Sequence, residues 1–154
     1  MSEAPVIQLQ GVRKSFGRNE VLKGLDLSVP QGQTFAFLGR NGAGKTTTIR
    51  MLLGLLKSDA GEVRVLGLDP QRNPMEVRRR VGYVAEDQTM FGWMRVGQLL
   101  SFIAPFYPTW DHEWARQLSD RFELPLKTRI RHLSKGQSAR VALLLALAHR
   151  PELV

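Results

Sequence analysis

The chain has 154 residues, 43% of them hydrophobic, enough apolar material for one domain with a core or for one domain with an insert. It contains no cysteine, which excludes disulfides and thiolate metal sites, and its longest apolar run, Val141–Ala148, is far short of the ~20 residues a membrane-spanning helix needs. The formal net charge of +8 raises the question of nucleic acid, but the basic stretches Arg72–Arg80 and Lys127–Arg150 carry no aromatic interleaving and no recognisable nucleic-acid module, so no nucleic-acid partner is expected.

In chain order, Val6–Val12 leads to Phe16, a turn follows at Gly17-Arg18-Asn19, and Val21–Val29 completes a predicted pair of strands closed by Pro30 and Gly32. Thr34–Leu38 is almost wholly apolar, the pattern of a strand buried on both faces. A glycine-rich loop comes next, then a predicted helix over about Lys45–Leu56, then short strands at Glu62–Leu66 and Val81–Val84. From Trp93 the texture becomes helical. Val96–Phe106 is apolar at helical spacing, and Asp111–Phe122 sets Trp114, Leu118 and Phe122 on one face at i, i+4 and i+8. The last helix, about Lys135 to Arg150, is apolar nearly all round from Val141 to Ala148 and is expected inside a domain. Trp93, Trp110 and Trp114 are expected to pack within this helical part. His112, His132 and His149 are expected to be solvated or packed.

The loop Gly39-Arg40-Asn41-Gly42-Ala43-Gly44-Lys45-Thr46 fits G-x-x-x-x-G-K-[ST]. Glycines let the backbone curl so that successive N–H groups, running on through Thr47, converge on phosphate oxygens. Lys45 supplies a point charge for the β- and γ-phosphates, the Thr46 hydroxyl a ligand for Mg²⁺, and the following helix its positive end. By itself the motif leaves kinase, GTPase and ATPase open.

Leu133-Ser134-Lys135-Gly136-Gln137 opens the last helix, with Ser134 placed as its N-cap. With this segment downstream of the phosphate loop, the sequence resembles the ATP-binding cassette (ABC) ATPases, whose signature reads Leu-Ser-Gly-Gly-Gln; Lys135 stands where the first of the two glycines usually is. The resemblance extends over essentially the whole chain, and Phe106–Asp111 is similar to a bacterial exporter-type branch whose ATPase subunit is encoded apart from its membrane partner. It implies an α/β fold: a phosphate-loop core with an antiparallel β subdomain and a helical insert, divided as 1–92 β-rich and phosphate-loop core, 93–134 helical subdomain, and 135–154 signature helix and start of a second phosphate-site strand.

The resemblance implies roles as well. Phe16 would stack on adenine. Ser134, Lys135, Gly136 and Gln137 would cap the γ-phosphate of ATP held by a second, antiparallel ATPase subunit. Glu86, in Gly82–Gln88, aligns with a loop Gln that helps ligate Mg²⁺, with Gln88 as the alternative; a carboxylate serves such a cation at least as well as an amide. ATP and Mg²⁺ would be the cofactors, a transmembrane permease the further partner, and the cytoplasmic face of the membrane the location. The family's adjacent Asp and Glu would fall after Val154. No catalytic residue is therefore expected within the chain, Asp59 and Asp69 included, and residues 1–154 alone are not expected to hydrolyse ATP. Two other readings are a soluble ABC-type ATPase outside transport and a nucleotide-binding fragment that does not hydrolyse.

Overall fold

Gly17, at φ +59°, and Arg18 form a two-residue turn that joins β1 (Ile7–Phe16) to β2 (Asn19–Val29) as an antiparallel hairpin, with Phe16 opposite Asn19. The computed structural model describes residues 4–40, 42–87 and 89–154. Leu9 and Val12 are both buried although three apart, a spacing that alternation would send to opposite faces. A register shift between them supplies the extra residue, and the Asp26 carboxylate accepts the Gly11 N–H at 2.7 Å inside that bulge. β3 (Ala60–Val65) pairs with the other edge of β1, giving an antiparallel sheet of order β2-β1-β3.

α1 (Lys45–Leu52) packs Met51 against Leu9, Val12, Leu22 and Val63. The helix stops earlier than its apolar run suggests. Gly54, at φ +67°, lets its own N–H reach the Met51 carbonyl and the Leu55 N–H reach that of Arg50, a Schellman close, and a side chain at Gly54 would strike the Pro70 carbonyl. The short helix α2 (Pro74–Arg80) follows; it is absent from the sequence-based expectations, though Pro74 at its first position and Glu76 in its first turn are start signals.

The described residues resolve into two compact units, one ending at Arg78 and one spanning Arg79–Val154. The second is helical: α3 (Val96–Ile103), a 3₁₀ turn Ala104–Phe106, α4 (His112–Arg121), a 3₁₀ turn Ile130–His132, and α5 (Lys135–Leu147). α3 gives way to a 3₁₀ turn before Phe106 because Pro105 has no N–H with which to continue the helical ladder. The Asp111 carboxylate caps α4 by accepting the Trp114 N–H at 2.8 Å, and Trp114, Leu118 and Phe122 all face the core formed by Val96, Leu99, Ala115, Ile130, Val141 and Leu144. α5 buries Val141, Leu144 and Ala146 but leaves Leu143 exposed, so it is not enclosed all round. Trp110 and Trp114 pack on this core, whereas Trp93 is 65% exposed, against the expectation.

The expected strand at Thr34–Leu38 is not formed. A strand exists through its ladder, none of these residues pairs with another described segment, and Leu38 is 89% exposed. Val81–Val84 likewise reduces to one parallel bridge, Val81 to Leu153, secured by Gly82 N–H donating to Leu153 O at 2.8 Å and by a bidentate Arg80–Glu152 pair.

Candidate functional site

The loop Gly39–Thr46 is built around the ammonium of Lys45. Its Nζ donates to the Gly39 carbonyl at 2.6 Å and the Arg40 carbonyl at 3.0 Å, so the side chain lies back across the loop that precedes it. Ala43 N–H donates to Arg40 O at 3.1 Å, making a turn, and a side chain at Gly39 would come within 3.2 Å of the Ala43 methyl. Gly42 is in the left-handed region at φ +84°; Asn41 lies outside the described residues.

Gly44 is the residue on which the loop turns into α1. It holds φ +89°, and a Cβ there would sit 2.5 Å from Leu22 Cδ2 and 3.2 Å from Val21 Cγ1. The loop backbone is therefore pressed onto β2, on the hairpin whose other strand ends in Phe16. Having no side chain, Gly44 cannot cap α1, and the first turn holds no acid. The N–H groups there keep their positive potential for an anion. Thr46 is exposed at this end and Thr47 half-buried, while Thr48 is buried with its hydroxyl donating to Gly44 O at 3.0 Å. A cation amid the loop, a bare helix end and an exposed hydroxyl beside it form a donor set suited to a polyphosphate and its hard divalent cation.

Phe16 is half exposed at the end of β1, and the Lys14 ammonium lies 5.6 Å from its ring centroid. The Asp59 carboxylate accepts from Lys14 Nζ at 2.7 Å and from Ser15 N–H at 2.7 Å; these bonds, that to Lys14 first, hold its pKa below the ordinary carboxylate value. Asp59 thus braces the strand that presents Phe16. Asp69 accepts the Gln71 N–H at 2.8 Å and pairs with Arg72 at 3.5 Å, closing a turn. Lys14, Leu22 and Asp59 had no sequence motif to mark them, because each acts through a contact distant in the chain.

In the second unit Ser134 and Gln137 form a reciprocal capping box: Ser134 Oγ accepts the Gln137 N–H at 3.2 Å, and Gln137 Oε1 accepts the Ser134 N–H at 2.9 Å. Lys135 and Gly136 are exposed in the first turn, and Gly136 is crowded by nothing nearer than Ser134 Oγ at 4.0 Å. Glu86 is exposed in a loop of this unit, and Gln88 lies outside the described residues. His112 and His132 are exposed. His149 is buried and stacks on Tyr107 with centroids 4.2 Å apart. Neither of its ring nitrogens has a hydrogen-bond partner among the described residues, and burial holds its pKa below 6.5, only partly offset by backbone groups of Val81 and Leu145.

Comparison with known proteins bears on the whole chain. The family described as ABC transporter matches residues 22–154. The ABC transporter ATP-binding protein YtrB of Bacillus subtilis is 31% identical over 149 residues, which cover 97% of this chain and 51% of YtrB. The bacitracin transport ATP-binding protein BcrA of Bacillus licheniformis is 32% identical, covering 97% of this chain and 49% of BcrA. The chain thus spans about half the length of these relatives. A solved structure of the ATP binding subunit of an ABC transporter matches with a TM-score of 0.85 at 24% identity, covering 97% of this chain and 68% of that one. A second, cbiO1 from Clostridium perfringens, part of the ABC transporter complex cbiONQ, gives 0.78 at 24% identity, with 97% and 63% covered. These likenesses give an ABC ATPase fold, mixed α/β with an antiparallel sheet, and no helix among the described residues is long and apolar enough to cross a membrane. With the match across residues 22–154 added to the phosphate loop and the capped Ser134 helix, the chain belongs to the ABC transporter ATP-binding family.

Proposed function

We propose that the chain binds Mg·ATP as the ATP-binding part of an ABC transporter and that, in the whole protein, this binding drives transport across a membrane. The observation that carries the reading is the ammonium of Lys45 held across its own loop, beside a helix end with no cap. On this reading Phe16 stacks on adenine, the N–H groups from Gly42 through Ala43, Gly44, Lys45 and Thr46 to Thr47 receive phosphate oxygens, and Gly39 permits the turn; Asn41 completes the assigned loop. Thr46 and Glu86 are the proposed Mg²⁺ ligands, with Gln88 as the alternative to Glu86. Bound Mg²⁺ would neutralise and align the phosphates. Ser134, Lys135, Gly136 and Gln137 would face the γ-phosphate on a second ATPase subunit arranged head to tail, with a permease as the membrane partner and a peripheral position on the cytoplasmic face. Likeness to the bacitracin transport protein supports an exporter-type assembly. No residue of the chain is assigned as catalytic.

Isothermal titration of ATP in the presence of Mg²⁺ tests the reading. Lys45→Ala is expected to remove measurable binding, and Phe16→Ala to weaken it by about 5- to 150-fold, the value of one base–aromatic stack. Full affinity in Lys45→Ala would refute the site; full affinity in Phe16→Ala would remove Phe16 from it.

A further inference from the structure

In the second unit α3 and α4 both rest on α5, and between them lies a groove of about 550 Å³ that takes no part in the phosphate loop or the Ser134 cap. Small residues make its floor: Gly97 and Ala104, on one stripe of α3 with Ser101, and Ala115 of α4. Phe91, Trp93, Phe102 and Phe106 line no part of it. Hydrogen bonds fix both ends. At one, Gly97 N–H donates to Leu126 O at 3.0 Å; at the other, Trp110 N–H donates to Tyr107 O at 3.0 Å, closing a turn whose two rings have centroids 6.4 Å apart. That turn is braced from behind. Tyr107 stacks on the buried His149, Thr109 Oγ1 donates to His149 O at 2.8 Å, and Asp111 N–H donates to Ala148 O at 2.9 Å. A preformed concavity of this size, with an aromatic wall and a few polar groups, is the usual form of a small-molecule site.

The polar groups of the groove define what it would take. Ser119 is only 6% exposed and lines the groove, yet its hydroxyl has no hydrogen-bond partner among the described residues. A hydroxyl buried in this way costs stability unless something in the groove meets it. Ser101 donates to Gly97 O at 3.1 Å and keeps its acceptor capacity. Arg116 is fully committed: it donates to Glu113 at 2.7 and 3.1 Å and to Asp120 Oδ2 at 3.3 Å. Two carboxylates thus share one guanidinium, so this wall carries an excess of negative charge and offers no free cation. Asp120 lines the groove and gives only one oxygen to Arg116, which leaves the other to accept from a ligand.

We infer that the groove between α3 and α4 binds a small ring compound, uncharged or cationic, that carries a hydroxyl or amino group. Its ring would lie on the Gly97, Ala104 and Ala115 floor against Tyr107 and Trp110, and its donor group would reach Ser119 and Asp120. The aromatic wall offers apolar contact to a ring and attracts a cation through its π-faces. The carboxylates of Glu113 and Asp120 repel an anion. A protein segment fits less well, because the groove is closed at both ends by the Gly97–Leu126 and Tyr107–Trp110 bonds and a continuing chain has no exit. The site is separate from the proposed ATP site and does not depend on it.

The test titrates the full chain with three near-isosteric probes, 2-phenylethylamine, 2-phenylethanol and phenylacetate, read by saturation-transfer NMR. The amine and the alcohol are expected to bind at least about tenfold more tightly than the carboxylate. Ser119→Ala, which removes an unpartnered hydroxyl and leaves the packing of α4 in place, is expected to weaken the alcohol by about 2- to 12-fold, the value of one hydrogen bond. Asp120→Asn is expected to remove any advantage of the amine over the alcohol. Ser101→Trp, at an exposed position on the groove wall, is expected to plug the site, whereas Gln117→Trp, exposed on α4 outside the groove, is expected to leave binding unchanged. Circular dichroism melts check that each variant is folded. No binding of any probe, equal binding of all three, or equal loss in Ser101→Trp and Gln117→Trp would overturn the inference. So would self-association in light scattering that Ser101→Trp abolishes, since the occupant would then be a second copy of the chain. ATP titration of the same variants separates the two proposals: intact ATP binding without probe binding sinks only this one, and the converse sinks only the proposed function.

Discussion

Gly44→Ala would load the phosphate loop in two ways that can be separated. The first is conformational. A side chain at φ +89° incurs about 1–2 kcal/mol of left-handed strain. The second is steric. The new methyl would stand 2.5 Å from Leu22 Cδ2, and Leu22 cannot swing away, being 5% exposed and packed with Leu9, Val12, Met51 and Val63. Overpacking of this kind adds about 1–3 kcal/mol, for a total destabilisation of about 2–5 kcal/mol. Gly42→Ala is the internal control: its φ of +84° is nearly the same, but its methyl would meet nothing within 4 Å. It should show the strain alone, about 1–2 kcal/mol, and the gain from restricting the unfolded chain cancels between the two variants. Urea denaturation followed by circular dichroism gives both values. Adding Leu22→Ala should bring the Gly44→Ala penalty down to that of Gly42→Ala, a coupling of about 1–3 kcal/mol. Equal penalties for the two glycines, or no coupling to Leu22, would refute the contact that fixes the loop to β2.

Ser134→Asp should keep the cap of α5 and its stability, since Asp caps as well as Ser, yet abolish ATP-dependent pairing in light scattering by setting a carboxylate against the phosphates; Ser134→Ala should cost about 0.5–2 kcal/mol in unfolding. Unchanged pairing with Asp would leave Ser134 a cap only. His149 is held below its ordinary pKa of 6.5, so the unfolded chain binds its proton first. Its contribution is whole above pH 6.5 and declines as pH falls through 6.5 toward the depressed folded value, with a slope of at most about 1.4 kcal/mol per pH unit. His149→Phe, which retains the stack on Tyr107, should flatten the stability profile between about pH 7 and pH 5.5; an unchanged slope would assign it to other groups. Finally, residues 1–154 should release no more phosphate from ATP than their Lys45→Ala variant, because Asp59 and Asp69 are engaged in structural bonds. General-base assistance is worth about 10²–10⁴-fold, so a lysine-dependent rate would be conspicuous and would show that an acid within these residues activates water.

The hairpin was readable because a turn signal lay between two alternating runs, and α4 because Asp111 announced it and Trp114, Leu118 and Phe122 kept helical spacing. Ser134 was readable as a cap from its place before an apolar helix. What failed was inference from apolarity alone: Thr34–Leu38 has the composition of a buried strand, but composition does not provide a ladder. The early ends of α1 and α3 were written in Gly54 and Pro105, single residues that outweigh the apolar runs around them. The phosphate loop was legible because its chemistry constrains consecutive residues. Its supports were not, since Leu22 beneath Gly44, and Asp59 behind Lys14 and Phe16, are joined to it only by folding.

The hold of the Gly39 and Arg40 carbonyls on Lys45 has a consequence for how tightly a phosphate can be held. A free lysine side chain carries about 2 kcal/mol of rotamer entropy, which an incoming anion must normally overcome to fix the ammonium in place. Here the chain's own carbonyls have already confined it, so that loss belongs to folding and not to ligand binding. Arginine, with a planar fork in place of a compact ammonium, could not reproduce the same pair of bonds, and charge alone would not restore the ammonium that these two carbonyls hold.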